Sequence, residues 1–225
     1  MTRKQEEGVV KPFFGLDVLY EHRREIIGQF PVRFGDYYEP FLCHGSIFFN
    51  LYNCKRVFGK GFISTSDRAI VGAYEAVRDG PGRVEKVLNI CLDRNSQEYY
   101  EAMTHVKSPA SLIYLYRAGY PAGYRQRYFG LLRKTISKEI ESLYRCSDYM
   151  KEWLAPDGLR VAKWQDSLMG VKENDLVFCA PGDFGLGPNA FLDDKLKNMY
   201  SFLRALKKVR FCHVFVWLNG NLERL

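Results

Sequence analysis

Apolar and polar positions follow two patterns along the chain, which predict strands in some segments and helices in others. Continuous apolar runs, DLVFCA (175–180) and CHVFVWL (212–218), are typical of strands covered on both faces. Apolar residues spaced three and four apart predict amphipathic helices at about 17–29 and 137–153. Ser108-Pro109 favours a further helix start, with Ser as the cap and Pro in the first turn.

The order of these elements predicts the fold class. Strands are predicted in DYYEPFLCHG, GFISTSD, LRVAKW, DLVFCA and VRFCHVFVWL, with helices between them, including one over SIFFNLYNC, one capped by Ser66 or Asp67 and one over about 192–207. This alternation favours an α/β fold with a mostly parallel sheet and helices on both faces. Residues 1–10 are predicted to be a flexible N-terminus and 11–225 one domain, with a small helical insertion at about 95–133.

Two loops are candidate ligand sites. In parallel sheets of this kind, ligands bind where the carboxyl ends of the strands meet the starts of helices. The segments that qualify are PFLCHGS (40–46), after the first strand, and CAPGDFG (179–185), after a later one.

Composition narrows the classes of partner. The chain has 33 Lys and Arg against 26 Asp and Glu, a net charge of +7, which is compatible with a polyanion. Six cysteines are dispersed without a C-x-x-C pair, so we expect buried thiols and no metal site. No stretch reaches the roughly 20 apolar residues of a membrane helix. We therefore expect a soluble, intracellular protein, cytoplasmic or nuclear, with no membrane partner.

Five segments, in this order, resemble the DNA adenine-N6 methyltransferase family that includes the Dam enzymes. KPFFGLDVLYEHRREII resembles its opening motif, YYEPFLCHGSIFFNL its cofactor loop and ISTSDRAIVGAYEAVRD its next strand and helix. LIYLYRAGYPAGYRQRYFG resembles its target-recognition stretch, and NDLVFCAPGDFG stands where its catalytic loop belongs. The resemblance covers about Lys11 to the C-terminus and implies a Rossmann-like, S-adenosylmethionine-dependent methyltransferase fold.

The catalytic loop departs from the family's Asp-Pro-Pro-Tyr. Ala180 stands where the family has an Asp that accepts hydrogen bonds from the target amino group, and Ala offers no acceptor. Pro181 matches the family, Gly182 replaces the second Pro, and Asp183 replaces the aromatic residue that stacks on the base. An active enzyme with an atypical loop would have to use Asp183 and Phe184 instead.

The cofactor loop departs as well. Cys43 and His44 fill positions where family glycines let the backbone approach S-adenosylmethionine, while Phe41 and Gly45 remain. Thr65 stands where the family has an acid. The resemblance therefore implies degenerate cofactor and catalytic sites and no bound cofactor. A residual anion site at the helix start and a Cys43–His44 nucleophilic pair are the alternatives.

A stretch rich in Tyr and Arg follows the predicted helix at Ser108. Cations can meet phosphates and tyrosines can stack on bases, and the family contacts its target here, so we expect a nucleic-acid face, with DNA favoured over RNA. The alternative is a solvated surface whose tyrosines enter the core. The predicted contact residues are Arg117, Tyr120, Tyr124, Arg125, Arg127, Tyr128, Arg133 and Lys134.

The sequence thus favours a catalytically inactive relative of the DNA adenine methyltransferases, kept as a nucleic-acid-binding or protein-interaction module. One alternative is an active enzyme with an atypical loop. The other is a scaffold subunit, because the closing hairpin of such sheets is expected to be absent, which would expose a sheet edge to a protein partner or a second copy. By analogy, a viral or mobile-element origin would suit such a fold.

Overall fold

The computed structural model of the protein describes residues 10–15, 17–42, 44–119, 133–181, 204, 206, 212–218 and 221–225, with only the backbone given for 133–139 and 218. The strands are β1 (Tyr37–Glu39), β2 (Gly61–Thr65), β3 (Leu154–Val161), β4 (Leu176–Cys179), β5 (His213–Leu218) and β6 (Asn221–Arg224). The helices are α1 (Val18–Gly28), α2 (Arg68–Asp79), α3 (Pro81–Asp93), α4 (Gln97–Met103), α5 (Pro109–Ala118), α6 (Arg133–Trp153) and α7 (Trp164–Ser167). The predicted helix at about 192–207 lies almost wholly outside the described residues.

The six strands form one mixed sheet in the order β3-β2-β1-β4-β5-β6. All neighbouring pairs are parallel except β5 and β6, which are antiparallel. This arrangement confirms the predicted α/β class and the mostly parallel sheet. Strand order reverses between β1 and β4, so the loops that follow these two strands border the same crevice.

The last strand corrects one expectation. We expected no closing hairpin, but β6 pairs with β5, with Trp217 opposite Leu222 and Leu218 opposite Asn221. The Asn219-Gly220 dipeptide between the two strands is a favoured hairpin sequence that the prediction overlooked. Strand β6 covers the edge of β5 that was expected to be exposed. The scaffold alternative therefore loses the exposed edge on which it was based.

Alternate residues of the strands face two different apolar layers. On one face, Phe178 and Phe215 pack with Phe30, which follows α1, and belong to a core that includes residues of α2, α3, α5 and α6. On the other face, Val177 and Val216 pack in a smaller cluster with residues from α7 and the loop after it. Burying each such side chain contributes about 1.5–3 kcal/mol, so both layers hold the strands in place.

The segment SIFFNLYNC forms less helix than predicted. Only Phe48–Asn50 is helical, as a single 3₁₀ turn. The Asn50 amide nitrogen donates to Ser46 O and to Val10 O, which ties this turn to the N-terminal segment. Lys55 adopts a left-handed backbone with φ of 58°, which no helix can continue through. Side-chain hydrogen bonds therefore override the helical spacing of apolar residues here.

Helices α4 and α5 occupy the described part of the predicted insertion. Ser108 caps α5 and Asp67 caps α2, as expected from the sequence. Helix α5 packs against α2 and α3 and buries Ile113 and Tyr114 completely. Residues 120–132 lie outside the described residues, so the extent of the insertion stays a prediction. None of the helices that the structure describes is both long and apolar enough to cross a bilayer.

Two aspartates hold the strands together at the amino-terminal edge of the sheet. Asp175, just before β4, is buried and accepts hydrogen bonds from the backbone nitrogens of Asp36 and Lys172, each at 2.7 Å. Asp36, just before β1, accepts in turn from Lys60 N at 2.7 Å. These carboxylates therefore fix how the starts of β1, β2 and β4 lie relative to one another.

We expect Asp175→Ala to lower the free energy of unfolding by about 2–4 kcal/mol, because two backbone donors lose their acceptor in a buried place. Urea unfolding monitored by circular dichroism measures the change. Glu173→Ala removes an exposed carboxylate two residues away and should change stability by less than about 0.5 kcal/mol. Equal stability of the two variants would contradict the structural role of Asp175.

Candidate functional site

The candidate site lies at the carboxyl ends of β1, β2 and β4. Tyr38 of β1 pairs with Val177 of β4, so the loops that follow these strands leave the sheet side by side. Phe41 comes three residues after Tyr38, and Ala180 comes three residues after Val177. The structure therefore brings the predicted cofactor loop and the first part of the predicted catalytic loop to one edge.

The described part of the catalytic loop is apolar. Ala180 is only 4% exposed and belongs to the main core cluster, and Pro181 is half-buried. A methyl group in this position cannot accept a hydrogen bond from an amino group. Gly182, Asp183 and Phe184 lie outside the described residues, so their assigned roles stay predictions.

Sequence reasoning missed a buried pair at the end of β1. The Tyr37 hydroxyl donates a hydrogen bond of 2.9 Å to Glu39 Oε2, and both side chains are almost fully buried. Burial raises the pKa of the Glu39 carboxyl to about 8; the hydrogen bond from Tyr37 lowers it and the charge of Asp17 raises it further. Glu39 is therefore largely protonated and uncharged at neutral pH. Its place directly before Pro40 in the cofactor motif was the available signal.

Gly45 fits its position because of both backbone conformation and packing. It has a φ of +69°, and a Cβ there would lie 2.6 Å from the Tyr74 hydroxyl and 3.0 Å from the Phe49 ring. The turn after β1 is thus pressed against aromatic side chains of the core. Glycine is retained here for packing as well as for any approach of a ligand.

His44, one of the residues that replace family glycines, is hydrogen-bonded to another part of the chain. Its Nδ1 lies 3.1 Å from Gly15 O, and since a carbonyl oxygen can only accept, Nδ1 carries the proton. The ring centroid lies 5.4 Å from that of Tyr116 and 6.0 Å from that of Phe14. Cys43 lies outside the described residues, so the Cys43–His44 pair stays untested. Within the predicted cofactor loop, the half-buried His44 ring therefore packs against Phe14 and Tyr116.

Asp17 connects the cofactor loop to α1. Its Oδ1 accepts hydrogen bonds from Ser46 Oγ at 2.6 Å and from Tyr20 N at 2.8 Å, which caps the helix. The segments that resemble the opening motif and the cofactor loop are therefore in contact. In this chain, however, the contact between them is a structural hydrogen bond.

The Thr65 side chain, at the end of β2, also forms a hydrogen bond within the protein. It is 4% exposed, and its hydroxyl accepts from Asp67 N at 3.3 Å. Asp67 accepts from Ala69 N at 2.8 Å and so caps α2. Phe41, the remaining predicted cofactor residue, is half-buried against the smaller core cluster. Thr65 and Phe41, two of the predicted cofactor residues, therefore form hydrogen bonds and packing contacts within the protein.

Arg117 is the only predicted nucleic-acid residue whose side chain is described. Its Nε donates to Phe13 O at 2.6 Å, and its Nη2 lies 3.4 Å from Ser142 Oγ. The neighbouring Tyr114 is fully buried and Tyr116 is half-buried beside Phe14. This end of the stretch therefore enters the core, as the alternative interpretation expected.

The other predicted contacts stay predictions. Arg133 and Lys134 belong to the first turn of α6, with side chains that are not described. The rest lie outside the described residues: Tyr120, Tyr124, Arg125, Arg127 and Tyr128.

The described cysteines behave as small apolar residues. Cys146 and Cys179 are fully buried, and burial raises the pKa of both thiols. Within the described ranges, no group of three or more His, Cys, Asp or Glu side chains is arranged to hold a metal ion. Thiolate or metal chemistry therefore has no support from this part of the chain.

No protein-family model matches the chain. The resemblance to the adenine methyltransferases consequently rests on the motifs quoted above and on their order along the sequence.

Proposed function

We propose that the protein is a catalytically inactive relative of the DNA adenine methyltransferases, with a Rossmann-like methyltransferase fold, that binds nucleic acid without modifying it. The strand order β3-β2-β1-β4-β5-β6, with an antiparallel last strand, is compatible with that fold. The order alone does not indicate chemistry, so the proposal depends on the side chains at the switch point.

One observation carries the proposal. Several described side chains at the carboxyl edge of the sheet stand where the family has catalytic or cofactor-binding groups. Each of them either lacks a polar atom or is already hydrogen-bonded within the protein. The Ala180 side chain has no hydrogen-bond acceptor. The Thr65 hydroxyl accepts a hydrogen bond from Asp67 N, and His44 Nδ1 donates one to Gly15 O. Methyl transfer needs groups that interact more strongly with the transition state than with the substrate, and these side chains are committed to the fold.

Glu39 supports the same conclusion. A carboxyl group at the end of the first strand could bind polar groups of a nucleoside ligand if it were charged and accessible. Glu39 is 3% exposed, its Oε2 accepts from Tyr37, and its pKa is raised to about 8. It therefore stabilises the buried end of β1 as a neutral group.

Retained nucleic-acid binding is supported by charge. The net charge is +7, and Arg125, Arg127, Arg133 and Lys134 are concentrated in a stretch that overlaps the segment resembling the family's target-recognition motif. Phosphate contacts by Lys and Arg need no catalytic residues, so they can persist after chemistry is lost.

Two assays on the full chain test the proposal together. Incubation with tritiated S-adenosylmethionine and unmethylated duplex DNA should transfer no label above a protein-free control. Fluorescence anisotropy with labelled DNA should detect binding that weakens steeply between 50 and 200 mM salt, by about 10-fold or more for several phosphate contacts. Label transfer to adenine would establish the active alternative, and absence of any nucleic-acid binding would refute the binding role.

A further inference from the structure

Basic side chains gather at the amino-terminal edge of the sheet, opposite the candidate site. They come from α1, from the segment before β1 and from the segment before β2. We call them the basic surface: Arg23, Arg24, Arg33, Lys55, Arg56 and Lys60.

Contacts between the three segments place these residues on one side of the molecule. The Arg56 guanidinium donates to Gly28 O at the end of α1, at 3.0 Å, and Val57 N donates to Val32 O at 2.9 Å. Arg33 forms a parallel bridge with Val57. Segments far apart in sequence therefore present their cations together.

Cys54 lies within electrostatic reach of three of these arginines. Burial raises the pKa of its thiol, and the charges of Arg23, Arg24 and Arg56 each act to lower it.

The charges of this surface are partly compensated, by Glu21 and Glu25 on α1 and by Asp36 and Asp175 at the same edge of the sheet. The segment LYNCKRVFGK (51–60) contains no acidic residue. Among the described residues, none of the six cations is in an ion pair, whereas Arg78 and Arg145 elsewhere pair with carboxylates. Arg24, Arg33 and Lys55 are also exposed. A surface of this kind attracts an anionic partner.

The turn that carries Lys55 is held in an uncommon conformation. Lys55 has a φ of 58°, and its backbone nitrogen donates to Tyr52 O at 2.8 Å. A left-handed backbone at a residue other than glycine costs about 1–2 kcal/mol. The fold thus maintains an exposed lysine at this turn, where a glycine would be easier to accommodate.

An exposed aromatic ring belongs to the same segment as Lys55, Arg56 and Lys60. Tyr52 is 59% exposed, and its ring centroid lies 5.4 Å from that of Trp153, which supports it from the protein side. Surfaces that bind single-stranded nucleic acids combine cations for the phosphates with aromatic rings on which bases stack. Duplex DNA, whose bases are already stacked, would use only the cations.

We propose that the basic surface binds single-stranded nucleic acid, with Arg24, Arg33 and Lys55 contacting phosphates and Tyr52 stacking on a base. This inference rests on the proposed function and deepens it, because it names a second contact surface, separate from the stretch 117–134. The basic surface lies at the opposite edge of the sheet from Ala180. Binding there therefore does not require any residue of the predicted catalytic loop.

The test is fluorescence anisotropy with a fluorescein-labelled 20-nucleotide single strand and with the corresponding duplex. Arg24→Glu/Lys55→Glu should weaken single-strand binding by about 10-fold or more at 100 mM salt. The matched control, Arg83→Glu/Lys86→Glu, reverses the same number of exposed charges on α3 and should change binding by less than about threefold. Thermal unfolding of each variant confirms that it is folded.

Tyr52→Ala separates stacking from charge. It should weaken single-strand binding by about fivefold or more and leave duplex binding unchanged, because only unpaired bases can stack on the ring. Equal weakening by both double variants, or a Tyr52→Ala variant with unaltered single-strand affinity, would overturn the proposal. So would binding of the wild type to phosphatidylserine vesicles with no binding to the oligonucleotides.

The two proposals fail differently. If the wild type binds no nucleic acid, the binding part of the proposed function fails and takes this inference with it. If the wild type binds and the basic-surface variants bind equally well, only this inference fails.

Discussion

Gly158→Ala is expected to lower the free energy of unfolding by about 3 kcal/mol or more. A Cβ at Gly158 would lie 2.3 Å from Gly61 O and 2.8 Å from Ala155 N, which are backbone atoms that cannot rotate away. Here β3 bulges against β2: Gly61 is opposite Leu154, and Ile63 is opposite Leu159. The added methyl would separate the two strands.

Urea unfolding measures this effect, and Gly72→Ala is the matched control. Gly72 lies within α2, and a Cβ there would meet nothing within 4 Å. Alanine should therefore stabilise the helix by about 0.5–1 kcal/mol. If Gly158→Ala unfolds at the same urea concentration as the wild type, the bulge between β2 and β3 does not have the described geometry.

Glu39→Gln is expected to abolish a large pH dependence of stability. The folded protein holds a proton on Glu39 up to about pH 8, whereas the unfolded chain releases it near the ordinary value of 4.5. Between these pH values the folded state binds more protons, so wild-type stability falls as the pH rises, by several kcal/mol in total. Glutamine cannot ionise and can still accept a hydrogen bond from Tyr37.

Urea unfolding at pH 5, 6.5 and 8 tests this expectation. Glu39→Gln should resemble the wild type at pH 5 and exceed its stability by about 2 kcal/mol or more at pH 8. Glu173→Gln, which changes an exposed carboxyl, should keep the wild-type slope. Parallel slopes for the wild type and Glu39→Gln would mean that the Glu39 carboxyl titrates normally in the folded protein.

The buried strands and the helix caps could be predicted from the sequence because their signals are local. Strand β4 is buried on both faces and therefore appears as a continuous apolar run. Asp67 and Ser108 cap helices through bonds to residues two or three positions away. Strand β6 has no apolar run, because most of its residues are exposed and polar. Its local signal is the Asn219-Gly220 dipeptide that precedes it. Its position is set by pairing with β5.

The site could be predicted in outline only. The order of motifs gave the correct edge of the sheet for Ala180 and His44, since parallel strands bring their carboxyl ends together. The hydrogen bond that Arg117 donates within the core could not be predicted, because its acceptor, Phe13 O, lies 104 residues away in sequence. The basic surface was missed for a similar reason, because its cations come from three separate segments.

The most direct test of the account is a calorimetric titration of the full chain with S-adenosylmethionine. We predict no binding heat at concentrations up to about 1 mM, because the groups expected to receive the methyl donor are buried, uncharged or bonded within the chain. Saturable binding with a micromolar dissociation constant would contradict the central claim that this fold no longer carries a methyl-transfer site.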